Sequence, residues 1–251
     1  MRELSFASIG PRTRALVLVA LAGIPPVSCH SDLRPHTPLT RAAATGDVAR
    51  LRAVLGSGSA PDVGGLHGWP PLTWAVRGGH LEAIRTLVRE GADPDLPDSG
   101  HNGWTPLLHA IHKGQLSAAG ALLDAGADVN ATGRDGLTPL MMAAGYGYNE
   151  WVLLLLGRGA SPAAQTSRGS TALSFAVLGV SDIDRFTLGT CQTETVGTLL
   201  DHSPGLRLMD NREGRWALRA AKFFGCTAVV ERLTRADEVR AGAPRRLHSR
   251  S

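Results

Sequence analysis

Apolar residues recur at offsets +2, +5, +8 and +9 from a glycine, four times along the chain. After Gly46 they are Val48, Leu51, Val54 and Leu55; after Gly79 they are Leu81, Ile84, Leu87 and Val88. After Gly114 they are Leu116, Ala119, Leu122 and Leu123. After Gly147 they are Val152, Leu155 and Leu156, with Asn149 in the first place. This spacing predicts a short helix with one buried face. Seven residues ahead of these glycines stand Leu39, Leu72, Leu107 and Leu140, and Leu173 continues the series at intervals of 33, 35, 33 and 33. A near-fixed period of this length predicts stacked copies of one small unit.

Each unit holds two helices by this reading. Thr37-Pro38, Thr105-Pro106 and Thr138-Pro139 precede three of the leucines. Proline suits a first helical turn, where its missing N–H would be unpaired anyway, and threonine can cap the free N–H groups. After the second helix comes Gly-Ala-Asp at 91–93 and 126–128, with Gly159-Ala160-Ser161 as its equivalent. The glycine can end the helix in a left-handed conformation, and the Asp, Asn and Gly that follow suit a hairpin turn.

The strings GWPPLTWAVRGGHLEAIRTLVREGADPD (68–95), GWTPLLHAIHKGQLSAAGALLDAGADVN (103–130) and DGLTPLMMAAGYGYNEWVLLLLGRGASP (135–162) resemble ankyrin repeats. Residues 37–62 resemble a first repeat, and 168–204 and 211–234 resemble two degenerate ones. The resemblance implies an all-α repeat solenoid of about six repeats, each a β-hairpin followed by two antiparallel helices. An end repeat has no outer neighbour and needs a polar outer face. Thr40, Arg41 and Thr45 fit that need at the start, and Arg219, Lys222 and Arg232 at the end.

Two interruptions stand out. Leu173 to Leu218 spans 45 residues, which places about 11 extra residues between the two helices of the fifth unit, over 180–190. Inserted loops on a rigid scaffold often carry function, which makes Asp182, Asp184, Arg185 and Phe186 candidates for partner binding. The plainer alternative is a tolerated lengthening of a surface loop. Two extra residues within 96–103 lengthen the hairpin before the third unit.

Charge narrows the partner. The 251-residue chain has a formal net charge of +4, but the excess lies at its ends: Arg2, Arg12 and Arg14, then Arg235, Arg240, Arg245, Arg246 and Arg250. Between residues 29 and 234, 18 basic side chains face 19 acidic ones. The repeat body therefore offers no basic stripe of the kind nucleic acid requires.

The N-terminus reads as an export signal. An apolar run from Ala15 to Ala22 follows Arg12 and Arg14 and is ended by Pro25 and Pro26. It is short for a bilayer span and right for a signal-peptide core. Val27-Ser28-Cys29 resembles the end of a bacterial lipobox, with Pro26 where leucine is usual. That resemblance implies lipidation of Cys29 as the first mature residue. The expected organisation is a signal peptide over 1–28, a linker over 29–36, a repeat domain over 37–234 and a basic, disordered tail over 235–251. The expected location is the periplasm, free or held to the membrane by that lipid. There an oxidising medium would permit a Cys191–Cys226 bond. Equivalent positions of adjacent repeats are usually too far apart for one. Two unpaired, partly buried thiols are the expectation, and the disulfide is the alternative.

No glycine-rich phosphate loop, nucleophile elbow or HExxH occurs. His109 and His112 could share a helix face, but no further metal ligand is placed near them. No catalytic residue, metal or cofactor is expected. The family resemblance implies contacts through hairpin tips and the exposed ends of inner helices. On this chain these include Trp69, Trp104 and Leu137, with Arg77, His112, Lys113, Tyr146, Phe223 and Phe224. Trp, Tyr and Arg most often dominate interface energy. Trp69 and Trp104 hold equivalent positions and should lie side by side; the alternative is that they only pack across hairpins. The expected function is a monomeric, non-catalytic protein-binding module exported to the bacterial envelope. It would serve as an immunity protein against a periplasmic toxin, or as a scaffold or stabiliser of an envelope enzyme. The rivals are a ligand-binding or enzymatic protein using the insertion, and a structural spacer.

Overall fold

The computed structural model describes residues 37–64, 68–100, 102–179, 191–208 and 212–242, with side chains up to residue 236. These residues belong to one compact unit, Arg34–Ser251. Among them are twelve helices in six consecutive pairs: α1 Pro38–Thr45 and α2 Val48–Gly56; α3 Pro71–Gly78 and α4 Leu81–Arg89; α5 Pro106–Lys113 and α6 Leu116–Asp124; α7 Pro139–Tyr146 and α8 Asn149–Gly157; α9 Ala172–Leu178 and α10 Thr193–His202; α11 Arg212–Phe223 and α12 Thr227–Gly242. Odd-numbered helices pack on one another down the stack, and so do α2–α4–α6 and α8–α10–α12, while α6 and α8 meet less closely.

Local chemistry accounts for the element ends. Thr37, Thr105, Thr138 and Thr171 each accept a hydrogen bond from the backbone N–H three residues on, closing the first turn. Pro70 takes that place before α3, which has no side-chain cap. α1, α3, α5 and α7 end at Gly46, Gly79, Gly114 and Gly147, with φ of 71°, 70°, 69° and 72°. Glycine holds this left-handed geometry without the clash a side chain would bring. Leu39, Leu72, Leu107, Leu140 and Leu173 are all buried, and Ala75, Ala110, Ala143 and Ala176 between them let neighbouring helices approach. Burying one such leucine contributes roughly 2–3 kcal/mol.

The Gly-Ala-Asp stretches tie units together. Asp62 accepts from the Asp93 N–H, Asp95 from the Asp128 N–H and Asn130 from the Ser161 N–H, at 2.8–3.3 Å. Burial raises the pKa of Asp62 and of Asp95, and these backbone N–H groups oppose the rise.

Four features differ from expectation. No strand occurs among the described residues. Three hairpin loops are each closed by one backbone bond between their arms: the N–H of Asp98, Gly133 and Thr166 donates to the carbonyl of Trp104, Leu137 and Ser170. Arms this short hold one pair, not a ladder. One bond then joins each loop to its predecessor, from Ser99 to Gly68, Arg134 to Asn102 and Ser167 to Asp135. Secondly, Thr40 is buried and bonded to Thr37, so the polar outer face of the first unit falls to Arg41 and Thr45. Thirdly, α12 continues past residue 234 to Gly242, because no glycine or proline interrupts 227–241.

The fourth is the disulfide between Cys191 and Cys226, with Cα atoms 5.4 Å apart. Cys191 precedes α10 by two residues, where the other units have their left-handed glycine, and it adopts φ 52°. A Cβ built on Gly46 would meet His80 at 2.7 Å, and one on Gly79 would meet Gln115 at 2.5 Å. One on Gly147 would run into Gln192. A side chain at this position therefore points at the residue just before the next unit's second helix. In the last unit that residue is Cys226. The one-position offset, which makes the two sites inequivalent, is what brings the thiols together.

Two residues separate the helices of each of the first four pairs, whereas residues 179–192 separate α9 from α10. The segment 180–190, with Asp182, Asp184, Arg185 and Phe186, lies outside the described residues, as does Cys29.

Candidate protein-binding face

Aromatic, histidine and arginine side chains form a continuous ribbon across units two to four. It starts at Trp69, before α3, whose ring lies 4.9 Å from that of Trp74 and 5.2 Å from that of His109. Trp104 meets His109 at 5.5 Å and His112 at 5.1 Å. The ribbon continues through Tyr146 and Tyr148 to Trp151 at the start of α8. Trp69 and Trp104 are thus neighbours, each packed on the imidazole of His109. Both indoles are half-buried.

A buried polar centre holds this ribbon. His109 is 2% exposed and Asp98 6% exposed. The Arg77 guanidinium can only donate, so its 3.0 Å contact makes His109 Nδ1 the acceptor. Nε2–H then donates to Asp98 Oδ2 at 2.6 Å. Burial, against the opposing pull of Asp98, brings the His109 pKa down to about 4, and the Arg77 charge adds to the lowering. With a neutral imidazole the Asp98 contact is a hydrogen bond to a carboxylate and not an ion pair. Asp98 also accepts from the Gly100 N–H at 2.7 Å. The lengthened hairpin thus wraps its own backbone around this carboxylate. Arg77 lies over Trp69, 4.3 Å from the ring centroid. That cation–π contact and the His109 bond hold the guanidinium at the edge of the ribbon.

The expected contact residues fall into three groups. Trp69, Arg77, Trp104, Lys113 and Leu137 are half-buried and reach the surface. His112 and Tyr146 are buried instead; His112 Nδ1 and the Tyr146 hydroxyl bond at 3.0 Å, so their polar atoms turn to each other. They support the ribbon from beneath. Phe223 and Phe224 are exposed, but on the last pair and away from the ribbon's residues. Sequence reasoning missed Trp74, Asp98, Tyr148 and Trp151 as members. Trp74 and His109 each stand two residues after a core leucine, so the repeat register carried a signal for their common face.

Among the described residues no cluster of three or more His, Cys, Asp or Glu could hold a metal ion. The ribbon carries bulky rings and a fixed cation and reads as a recognition surface.

Comparison with known proteins agrees with the architecture. A family model of ankyrin repeats (3 copies) matches residues 14–98 and 39–133, and one of ankyrin repeats (many copies) matches 122–176. The chain belongs to the ankyrin-repeat family. It is 36% identical over 121 residues to the Ornithorhynchus anatinus protein "Ankyrin repeat, SAM and basic leucine zipper domain-containing protein 1", over 47% of this chain and 26% of that one. It is 31% identical over 153 residues to "Ankyrin repeat domain-containing protein 63" of Homo sapiens, over 58% of this chain and 40% of that one. The chain thus spans less than half the length of these relatives. The family matches end at residue 176, while the helical pairs continue to Gly242. Ankyrin repeats form protein–protein interaction modules, and the family is generally non-catalytic.

Proposed function

We propose that this chain is exported and acts by binding one protein partner through the ribbon of units two to four, with Trp69, Arg77 and Trp104 as its anchors. The observation that carries this reading is the pair of half-buried indoles and the guanidinium, fixed from below by His109 and Asp98. Anchors held before binding lose little rotamer freedom on association, which favours affinity. The Cys191–Cys226 bond and the apolar run Ala15–Ala22 support export to an oxidising compartment. Tethering by lipid at Cys29 belongs to the same proposal, as does the specific role of neutralising a periplasmic toxin.

The test has two arms. A partner cross-linked to the chain in cells is purified, and its affinity is measured for wild type, Trp69→Ala and Trp104→Ala. Each substitution lowers affinity by about tenfold or more; unchanged affinity in both moves the site elsewhere. Labelled palmitate incorporated by wild type and lost in Cys29→Ser supports the tether, and a wild-type chain that stays unlabelled rejects it.

A further inference from the structure

The last unit departs from the polar-cap rule. Arg219 and Lys222 are exposed where Ser174 and Val177 are buried one unit earlier, the polarity expected of a capping unit. Yet Trp216 and Phe223 are each 50% exposed on the same helix, and Phe224 follows at 42%. At 100° per residue, Arg212, Trp216, Arg219 and Phe223 fall within an arc of about 60° on α11. They lie opposite Gly214, Ala217 and Ala221, which are buried. Arg215 and Lys222 border the arc on one side. The helix's one carboxylate, Glu213, lies off the arc and is half-buried. Beyond this helix the imbalance continues: residues 224–251 hold 6 basic and 3 acidic side chains.

From this geometry we propose that the exposed face of α11 is a docking surface for an anionic lipid bilayer. Trp and Phe favour the boundary between headgroups and acyl chains, and interleaved Arg and Lys can extend to lipid phosphates while their stems stay in apolar surroundings. These rings project from the first helix of the last pair, opposite its buried Gly214, Ala217 and Ala221, which suits a plane better than a pocket. The cations supply the long-range attraction that a negatively charged leaflet returns. No described helix is long and apolar enough to cross a membrane, so the contact is peripheral. The surface is separate from the proposed protein-binding ribbon and independent of any lipid on Cys29.

The test uses the full chain carrying Cys29→Ser, so that no acyl chain contributes. Flotation is measured with pure phosphatidylcholine vesicles and with equimolar phosphatidylcholine–phosphatidylglycerol vesicles. The chain binds the anionic vesicles, added salt weakens the binding, and the double variants W216A/F223A and R219E/K222E each reduce it by about tenfold or more. All four residues are exposed, so the variants keep wild-type circular dichroism. Equal flotation of wild type and both variants overturns the proposal. So does a lack of flotation combined with retention on polyglutamate that R219E/K222E abolishes, which assigns the face to an acidic protein. Dimerisation by light scattering that W216A/F223A abolishes assigns it to a second copy and equally overturns the lipid reading.

Discussion

Units two to four and the last two units share one plan and join their neighbours differently. In the central units the position after the first helix is a bare glycine, Gly79 or Gly147, set against Gln115 or Gln192 of the next unit. In the fifth unit a cysteine stands there and is bonded to Cys226. The central units follow one another with only a two-residue lengthening of one hairpin, and their backbones approach closely. The fifth is split by residues 180–190, and a covalent link spans the junction that follows the split. Where the spacing is near-regular the units cohere through packing and hydrogen bonds, and a covalent bond appears where it fails. The same division separates a face of half-buried and buried rings from an end that displays exposed ones.

The largest effect expected is in the central packing. Leu107→Ala removes a fully buried side chain and should cost about 2–5 kcal/mol, while Leu218→Ala, half-buried in the last unit, should cost about 1 kcal/mol. Urea unfolding of both variants reads the contrast, and equal losses would erase it.

Next comes the clasp. Cys226→Ser should destabilise the chain by about 3–4 kcal/mol, the entropy of a loop with sequence separation 35. Hydrogen exchange should rise in α10–α12 and stay unchanged in α3–α7. Cys191 would then keep a left-handed backbone with no bond to hold it. Adding Cys191→Gly should therefore restore about 1 kcal/mol.

The buried centre should come third. His109→Ala leaves Asp98 without its main partner and should cost roughly 2–3 kcal/mol. The sign of the pH effect follows from the lowered pKa. A histidine at about 4 when folded and near 6.5 when unfolded contributes stability that is complete above pH 6.5 and lost as pH falls towards 4. His109→Gln should flatten that part of a melting-temperature profile relative to wild type. The smallest effect should be at the ladder between units, where Asp95→Ala removes the acceptor of the Asp128 N–H and should cost about 1 kcal/mol.

Much of this was legible in the sequence because it depends on local rules. Thr-Pro starts, left-handed glycines and leucines at a fixed period are local signals, and each behaves in the structure as its chemistry requires. The insertion was legible too: Gly179 stands in the register of Tyr146 and Cys191 in that of Gly147, which leaves 180–190 over. What was not legible depends on direction in space. Which way a side chain leaves a left-handed position decides that Cys191 meets Cys226, and residue spacing does not encode it. The polar centre needed the path of a widened hairpin, which carries Asp98 to a histidine 11 residues away. His112 and Tyr146 share the register of surface positions, and their burial comes from rings that fold onto one another.

The most direct test of the central claim is a hydrogen-exchange footprint of the intact chain bound to its cross-linked protein partner. Slowed exchange is predicted over residues 68–77, 102–113 and 136–148, where the ribbon reaches the surface. A footprint confined to residues 193–242, with those three segments exchanging as in the free chain, would contradict it.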